Sequence, residues 1–291
     1  MEFEEYLKQH LLPSTIKSYT SLINHFFLSI ERKKINPKTA SFSQILEYIK
    51  ERRKHCKNPN SVNGSLHAIK KYYSYLVEIG ERSDNPAKPI RLRDKPSRDI
   101  QVQDLFTVEE LEQLLNRKER LKILKNRNLF IISLLIYQGL TNGEIKNLSI
   151  QDIDLKEATI SIKSRTKTNS RTLKLNAKQM YLVMNYLNED RVKLVKNDSQ
   201  KLFITILGNE ENGEGIHYII ESSKYIFPNK KLNPVTIRQS VICNLLKSGN
   251  DLRIVQAFAG HKHPTATENY KQTHLEELKN QILKFHPLSN D

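Results

Sequence analysis

Apolar positions along this chain change their spacing from one stretch to the next, and each spacing predicts a different element. Over residues 1–92 they recur every three or four positions. Ile16, Tyr19, Leu22, Ile23, Phe26 and Phe27 form one side of a helix that Ser14 is placed to cap. Ile45, Tyr48 and Ile49 mark a second helix, from about Ser43 to Arg53, that ends in the basic run ERRKHCK. A third opens near Asn60-Ser61 and continues through IKKYYSYLVEIG until Asn85-Pro86 breaks it. The following PAKPIRLRDKPSRDIQVQD is charged, rich in proline and without apolar period, which predicts a linker of about fifteen residues.

Beyond the linker, Thr107-Val-Glu-Glu110 reads as a capping box opening a short helix. The run NLFIISLLIYQGL from Asn128 is apolar all round, so it predicts a buried central helix ending at Gly139. A turn at Thr141-Asn142-Gly143 starts another helix, EIKNL. The period then drops to two. Thr159-Ile-Ser-Ile162 and Thr172-Leu-Lys-Leu175 predict two short strands joined by KSRTKTNSR, with Lys167 at or near the turn and Lys163, Arg165 and Arg171 close by. Residues 176–232 read as helix followed by a loop-rich stretch.

Helical spacing returns at Pro234, a residue suited to a first helical position, with Ile237, Val241 and Leu245 on one stripe and Ser248-Gly249 as the stop. A shorter helix runs from about Asp251 to Ala259 and ends at Gly260, and a third begins near Pro264 and carries Tyr270. A last stripe, Leu275, Leu278, Ile282 and Phe285, predicts a C-terminal helix. The fold class is therefore mainly α with a small β-hairpin or sheet: a helical domain over 1–92, a linker over 93–105 and a mixed α+β domain over 106–291.

Charge narrows the class of partner. The chain has 291 residues and a formal net charge of +15. Residues 1–105 hold 19 Lys/Arg against 12 Asp/Glu, or +7, which leaves +8 for the rest. A basic surface on both halves suits a polyanion that both halves touch, and nucleic acid is the usual one; the charged linker would let the two domains close around double-stranded DNA from opposite sides. Arg52, Arg53, Lys54, Lys70 and Lys71 are the candidate backbone contacts in the first domain. The lysines adjoin tyrosines at 72, 73 and 75, an interleaving that fits either a DNA-gripping surface or tyrosines in a core flanked by solvated lysines. Cys56 and Cys243 have no ligand or disulfide spacing, so no metal centre is expected. With no long apolar run and no leader pattern, the expectation is a cytoplasmic protein without membrane contact.

One constellation is specific. Arg238 is followed 23 residues later by His261 in a Gly-His pair, and nine residues on by Tyr270. This resembles the C-terminal signature of tyrosine recombinases, the family of phage integrases and Xer-type resolvases. Gly139-Leu140 and Glu144 resemble its first motif, G-L-R-x-x-E, and Lys167 stands where its β-hairpin lysine is expected. The resemblance covers nearly the whole chain and implies a helical core-binding domain plus a catalytic domain. It also implies site-specific DNA recombination or integration without metal, cofactor or ATP, by a homotetramer on paired sites that docks through the C-terminal helix. Tyr270 would attack the scissile phosphate to give a 3′-phosphotyrosine, with Arg238, Lys167 and His261 as the other catalytic groups and Glu144 orienting its neighbours.

Two positions depart from the pattern. Thr141 occupies the place of the first catalytic arginine, and Val235 that of a His or Lys three residues before Arg238. Losing one preorganised donor costs roughly 10²–10³ in rate, so the enzyme would be slowed rather than silenced. Arg165 or Arg171 in the hairpin is the candidate replacement. The competing reading is a recombinase-like protein that binds DNA without cutting it.

Overall fold

The helical period of the first ninety residues appears in the computed structural model, which describes residues 2–56, 58–93 and 100–270, as helices α1 (Phe3–His10), α2 (Pro13–Arg32), α3 (Phe42–His55) and α4 (Pro59–Glu78). Helix α1 went unpredicted because it is short and its few apolar positions show no long period. Helix α2 starts at Pro13 with Leu12, rather than Ser14, at the cap; proline's fixed φ is already helical and its missing N–H needs no partner there. Ser41 and Gln44 close a capping box on α3, and Asn58 accepts from the Asn60 amide at the head of α4.

The core of this unit is formed by Ile23, Phe26, Ile45, Tyr48, Leu66, Ile69 and Tyr73, each contributing about 1.5–3 kcal/mol by burial. Helix α4 ends at Glu78, ahead of the expected break at Asn85-Pro86. Ala87 and Ile90 from the supposed linker are buried in the same core, so apolar packing continues past the prolines. The chain divides into units Met1–Arg98 and Asp99–Asp291.

The second unit is built on α5 (Val108–Gln113) and α6 (Lys125–Tyr137), followed by the single turn α7 (Asn142–Ile145). Helix α6 is apolar on all sides because it is covered on all sides: Phe130, Ile131, Leu134 and Leu135 are fully buried. The capping box at Thr107–Glu110 forms as expected. Strands β1 (Ile153–Asp154), β2 (Thr159–Ile162) and β3 (Arg171–Lys174) make an antiparallel sheet in the order β1-β2-β3. The register pairs Ile160 with Leu173 and Ile162 with Arg171. Alternation thus puts Ile160, Ile162, Leu173 and Arg171 toward the protein, with Thr172 and Lys174 outward.

Helices α8 (Ala177–Asn185), α9 (Arg191–Leu194) and α10 (Glu214–Glu221) lead to α11 (Pro234–Lys247) and α12 (Leu252–Ala259), after which residues 265–270 are helical. Helix α11 is anchored to the start of the unit. The Phe106 amide donates to Ser240 Oγ at 2.9 Å, and Asn244 Nδ2 returns a bond to the Phe106 carbonyl at 3.0 Å. The helix expected over 275–285 lies outside the described residues. Among the described residues no helix is long and apolar enough to cross a membrane, and no cluster of His, Cys, Asp or Glu is arranged to hold a metal ion.

Candidate active site

Arg238, Thr141, Glu144, Arg171, His261 and Tyr270 all belong to the second unit, and four backbone features bring them together. First, the chain leaves α6 through Gly139 at φ 58°, and the carbonyl it turns inward accepts from Arg238 Nη1 at 2.5 Å. A Cβ at 139 would stand a tight 3.3 Å from Val241 Cγ1, but it is the positive φ that calls for glycine. Second, α12 stops at Gly260 in the left-handed region, φ 69°, and the Ala259 carbonyl accepts from Arg238 Nη2 at 2.7 Å. Arg238 is 8% exposed and spans the ends of two helices.

Third, Thr141 caps α7 in a capping box with Glu144. The Thr141 amide and hydroxyl donate to Glu144 Oε2 at 2.8 and 2.9 Å. The other carboxylate oxygen accepts from Arg171 Nη1 at 2.7 Å, and Arg238 Nη1 lies 3.9 Å from Oε2. Burial alone would raise the Glu144 carboxyl, but the Arg171 hydrogen bond and charge, the Thr141 amide and the Arg238 charge outweigh it and hold it below the usual range. Burial depresses Arg238, against the Glu144 charge.

Fourth, the loop between β2 and β3 is clipped to the end of α12. The Asn169 amide donates to the Gly260 carbonyl at 2.8 Å, and Thr168 and His261 form an antiparallel bridge. The Arg165 amide donates to the Thr168 carbonyl at 2.8 Å, which leaves Thr166 and Lys167 at the tip. Lys167 is exposed there.

His261 Nδ1 lies 2.8 Å from the buried Thr267 hydroxyl, and its ring is stacked at 6.1 Å on that of Tyr270. Burial first, then the charges of Arg238 and Arg171, push the imidazole down to about 4, so it is neutral at neutral pH. Burial pushes the Tyr270 phenol up, with the Arg238 charge pulling the other way. Tyr270 packs against the small apolar cluster of Ile242, Val255 and Ala259.

Arg165 is exposed and donates to the Gly143 carbonyl at 2.9 Å. Val235 is 63% exposed on the first turn of α11. Thr267 was missed at the sequence level, because a lone threonine between a histidine and a tyrosine carries no signal until its hydroxyl is seen against the ring. The 209–215 loop, unreadable in sequence, is ordered by Glu211, which accepts from Arg127 and from the Gly213 and Gly215 amides. Its Gly213 carbonyl accepts from Asn142 Nδ2 at 3.0 Å, beside Thr141.

In the first unit the interleaved tyrosines and lysines do not form an aromatic surface. Tyr72, Tyr73 and Tyr75 are buried in the core, as large apolar rings on a packed helix face should be. Lys70 donates to the Ile90 carbonyl at 2.6 Å, and Lys71 lies 4.9 Å over the Tyr6 ring. Arg52 sits 3.2 Å from His25 Nε2, and Lys54 lines the same recess as His25, Arg32 and His55. Arg53 is exposed at the end of α3.

The sequence model of the phage integrase family matches residues 104–277. The tyrosine recombinase XerC of Thermodesulfovibrio yellowstonii is 26% identical over 285 residues, 95% of this chain and 91% of its own length. The tyrosine recombinase XerD of Listeria innocua is 25% identical over 286 residues, covering 97% of this chain and 95% of its own. The fold is shared with XerH recombinase bound to its difH substrate before cleavage, at TM-score 0.71 and 18% identity over 91% of this chain and 78% of that one. It is shared too with the Tn1549 transposon integrase in complex with a circular intermediate DNA, at TM-score 0.64 and 15% identity over 96% and 98%.

Proposed function

The chain belongs to the phage integrase family and is a DNA breaking-rejoining enzyme of the tyrosine recombinase type, and on that premise we propose that Tyr270 is its nucleophile. The Tyr270 oxygen forms a bond to the scissile phosphorus while the bond to the 5′-oxygen breaks. The products are a 3′-phosphotyrosine and a free 5′-hydroxyl, and one phosphodiester replaces another, so no ATP is consumed. The phenolic proton passes to solvent, His261 hydrogen-bonds the phosphate through its free ring nitrogen, and Lys167 at the hairpin tip protonates the leaving oxygen. Arg238 presents a fixed guanidinium to the phosphoryl oxygens as charge grows on them. Glu144 touches arginines rather than DNA. Strand exchange then follows when the 5′-hydroxyl of a partner strand attacks the phosphotyrosine, with four protomers on paired sites.

The observation that carries this reading is the convergence of Arg238 on α11, His261 just past the end of α12 and Tyr270 on the following helical turn: the guanidinium charge acts on both the imidazole and the phenol, and their rings stack. A phenol has an ordinary pKa near ~10, and burial raises that of Tyr270 further. It therefore needs the cationic surroundings that Arg238 supplies. Structural duty explains the buried arginine but not a tyrosine stacked on the histidine at the family's spacing. The same convergence favours the enzyme over a protein that binds DNA without cutting it.

The deciding experiment uses a duplex that the protein selects from a randomised pool, nicked beside the scissile position so that the released fragment diffuses away. Wild-type protein should form a covalent adduct, and Tyr270→Phe should bind equally and form none. No adduct on a duplex that is demonstrably bound would sink the enzyme reading. Binding should weaken steeply with salt, as contacts to phosphates require.

A further inference from the structure

We propose that Arg171 stands in for the missing first arginine: the edge of its guanidinium formed by Nε and Nη2 binds the non-bridging oxygens of the scissile phosphate. This rests on the recombinase reading and names a further catalytic residue within it.

Strand register turns Arg171 inward, opposite Ile162. Its side chain is 6% exposed, and Nη1 is committed to Glu144 at 2.7 Å. Gly260 leaves the room this requires, since a Cβ there would meet Arg171 Nη1 at 2.5 Å. Nε and Nη2, by contrast, are buried without a hydrogen-bond partner. Leaving a buried donor unmade is costly, and these two lie side by side on one edge of the plane, the spacing that grips two oxygens of a phosphate.

Charge points the same way. Arg171 and Arg238 face one carboxylate, Glu144, beside a neutral His261. The cluster of Arg171, Arg238 and Glu144 carries one uncompensated positive charge, and a phosphodiester carries one negative. Neither alternative group is placed for this. Thr141 spends its amide and hydroxyl on Glu144, and Arg165 is exposed on the Gly143 carbonyl. The bond changes at phosphorus are unaltered. Arg171 moves no proton; it offsets charge on the phosphorane.

The test compares two versions of the selected, nicked duplex, one with the natural scissile phosphodiester and one with a methylphosphonate, which lacks the negative charge. Arg171→Ala is combined with Glu144→Gln so that no buried carboxylate is stranded. On the natural duplex, the rate of adduct formation should fall by roughly 10²–10³ relative to Glu144→Gln alone, on a duplex that is still bound. On the methylphosphonate the deficit should shrink to less than about tenfold, because the charge Arg171 answers is gone. An equal deficit on both duplexes would mark a structural role and overturn the proposal, as would no deficit on the natural one. If the double variant melts early, Arg171→Lys keeps the charge without the fork. It should lose about tenfold or more in rate, and an unchanged rate overturns the proposal. A wild-type protein that forms no adduct would overturn the recombinase reading and this one together; a wild-type adduct with the contrary results above overturns the Arg171 assignment alone.

Discussion

Arg171 Nη1 and Glu144 Oε1 stand 2.7 Å apart, joining the β-hairpin to the one-turn helix α7 across 27 residues of sequence. Glu144 is at once the last member of the Thr141 capping box and the counter-charge for two arginines. One carboxylate therefore joins the start of α7 to the start of β3 and sets a counter-charge beside Arg238. A fold that relied on hairpin pairing alone would leave a short sheet free to shift.

Glu144→Ala removes the common partner and leaves two guanidiniums buried against each other. Breaking a buried pair in this way costs about 3–5 kcal/mol. Urea unfolding should show the midpoint falling with an unchanged slope, and adduct formation on the selected duplex should be lost with it. A loss below about 1 kcal/mol would mean the pair is no more than a surface salt bridge.

Gly260→Ala combines strain at φ 69° with a Cβ placed 2.5 Å from Arg171 Nη1 and 3.1 Å from the Asn169 carbonyl. The strain alone costs on the order of 1 kcal/mol. Because the hairpin is clipped at this point, the larger effect should be on chemistry: cleavage should fall more than the melting temperature suggests, while DNA binding persists. Gly80→Ala, where nothing lies within 4 Å, is the control for strain alone. Equal losses in the two variants would argue against a role for the packing at Gly260.

Thr141→Arg restores the family residue but removes a cap, which costs about 1 kcal/mol of stability. The rate of adduct formation should be unchanged or higher. Placed on Arg171→Ala, Glu144→Gln, the same change should recover part of the lost rate. Loss of DNA binding on Thr141→Arg would count against aligning Thr141 with the family arginine.

His261 titrates near 4 in the folded chain against an ordinary 6.5, because burial and two guanidiniums disfavour its charged form. The unfolded chain thus binds more protons between those values, and stability must rise with pH there. The contribution is complete above about pH 6.5 and is lost as pH falls toward 4. Urea midpoints of the wild type should fall relative to His261→Gln over that window. A difference that stays constant from pH 7 to 4 would show that the imidazole is not held neutral.

The stripe Leu275, Leu278, Ile282 and Phe285 follows Tyr270 directly, and docking of this segment on a neighbouring protomer is the basis for the tetramer proposed above. Leu278→Asp with Ile282→Asp should bind a single site normally and fail to pair two sites in a gel-shift or crosslinking assay. Normal pairing would remove the docking role.

Periodicity and spacing were enough to read much of this protein. Helices α2, α3, α4, α6, α11 and α12 announce themselves by apolar stripes or full apolar runs, and the hairpin by alternation. These are local signals, since 3.6- and 2-residue periods survive any arrangement of the elements. Arg238, His261 and Tyr270 stood out for another reason: their spacing resembles the family's C-terminal signature, and the fold brings the three close together.

Tertiary structure decided the rest. Two arginines in one hairpin look alike in sequence, but register turns Arg171 inward onto Glu144 and leaves Arg165 on the outside. The tyrosines beside Lys70 and Lys71 carried two readings until packing against α1 and α2 buried them. Thr267 became relevant only when its hydroxyl met His261. In each case the deciding contact joins groups whose meeting depends on how elements pack, and burial then assigns the charge states. The family and its reaction were legible in sequence alone; which hairpin arginine is buried against Glu144 was not, because that depends on how the elements pack.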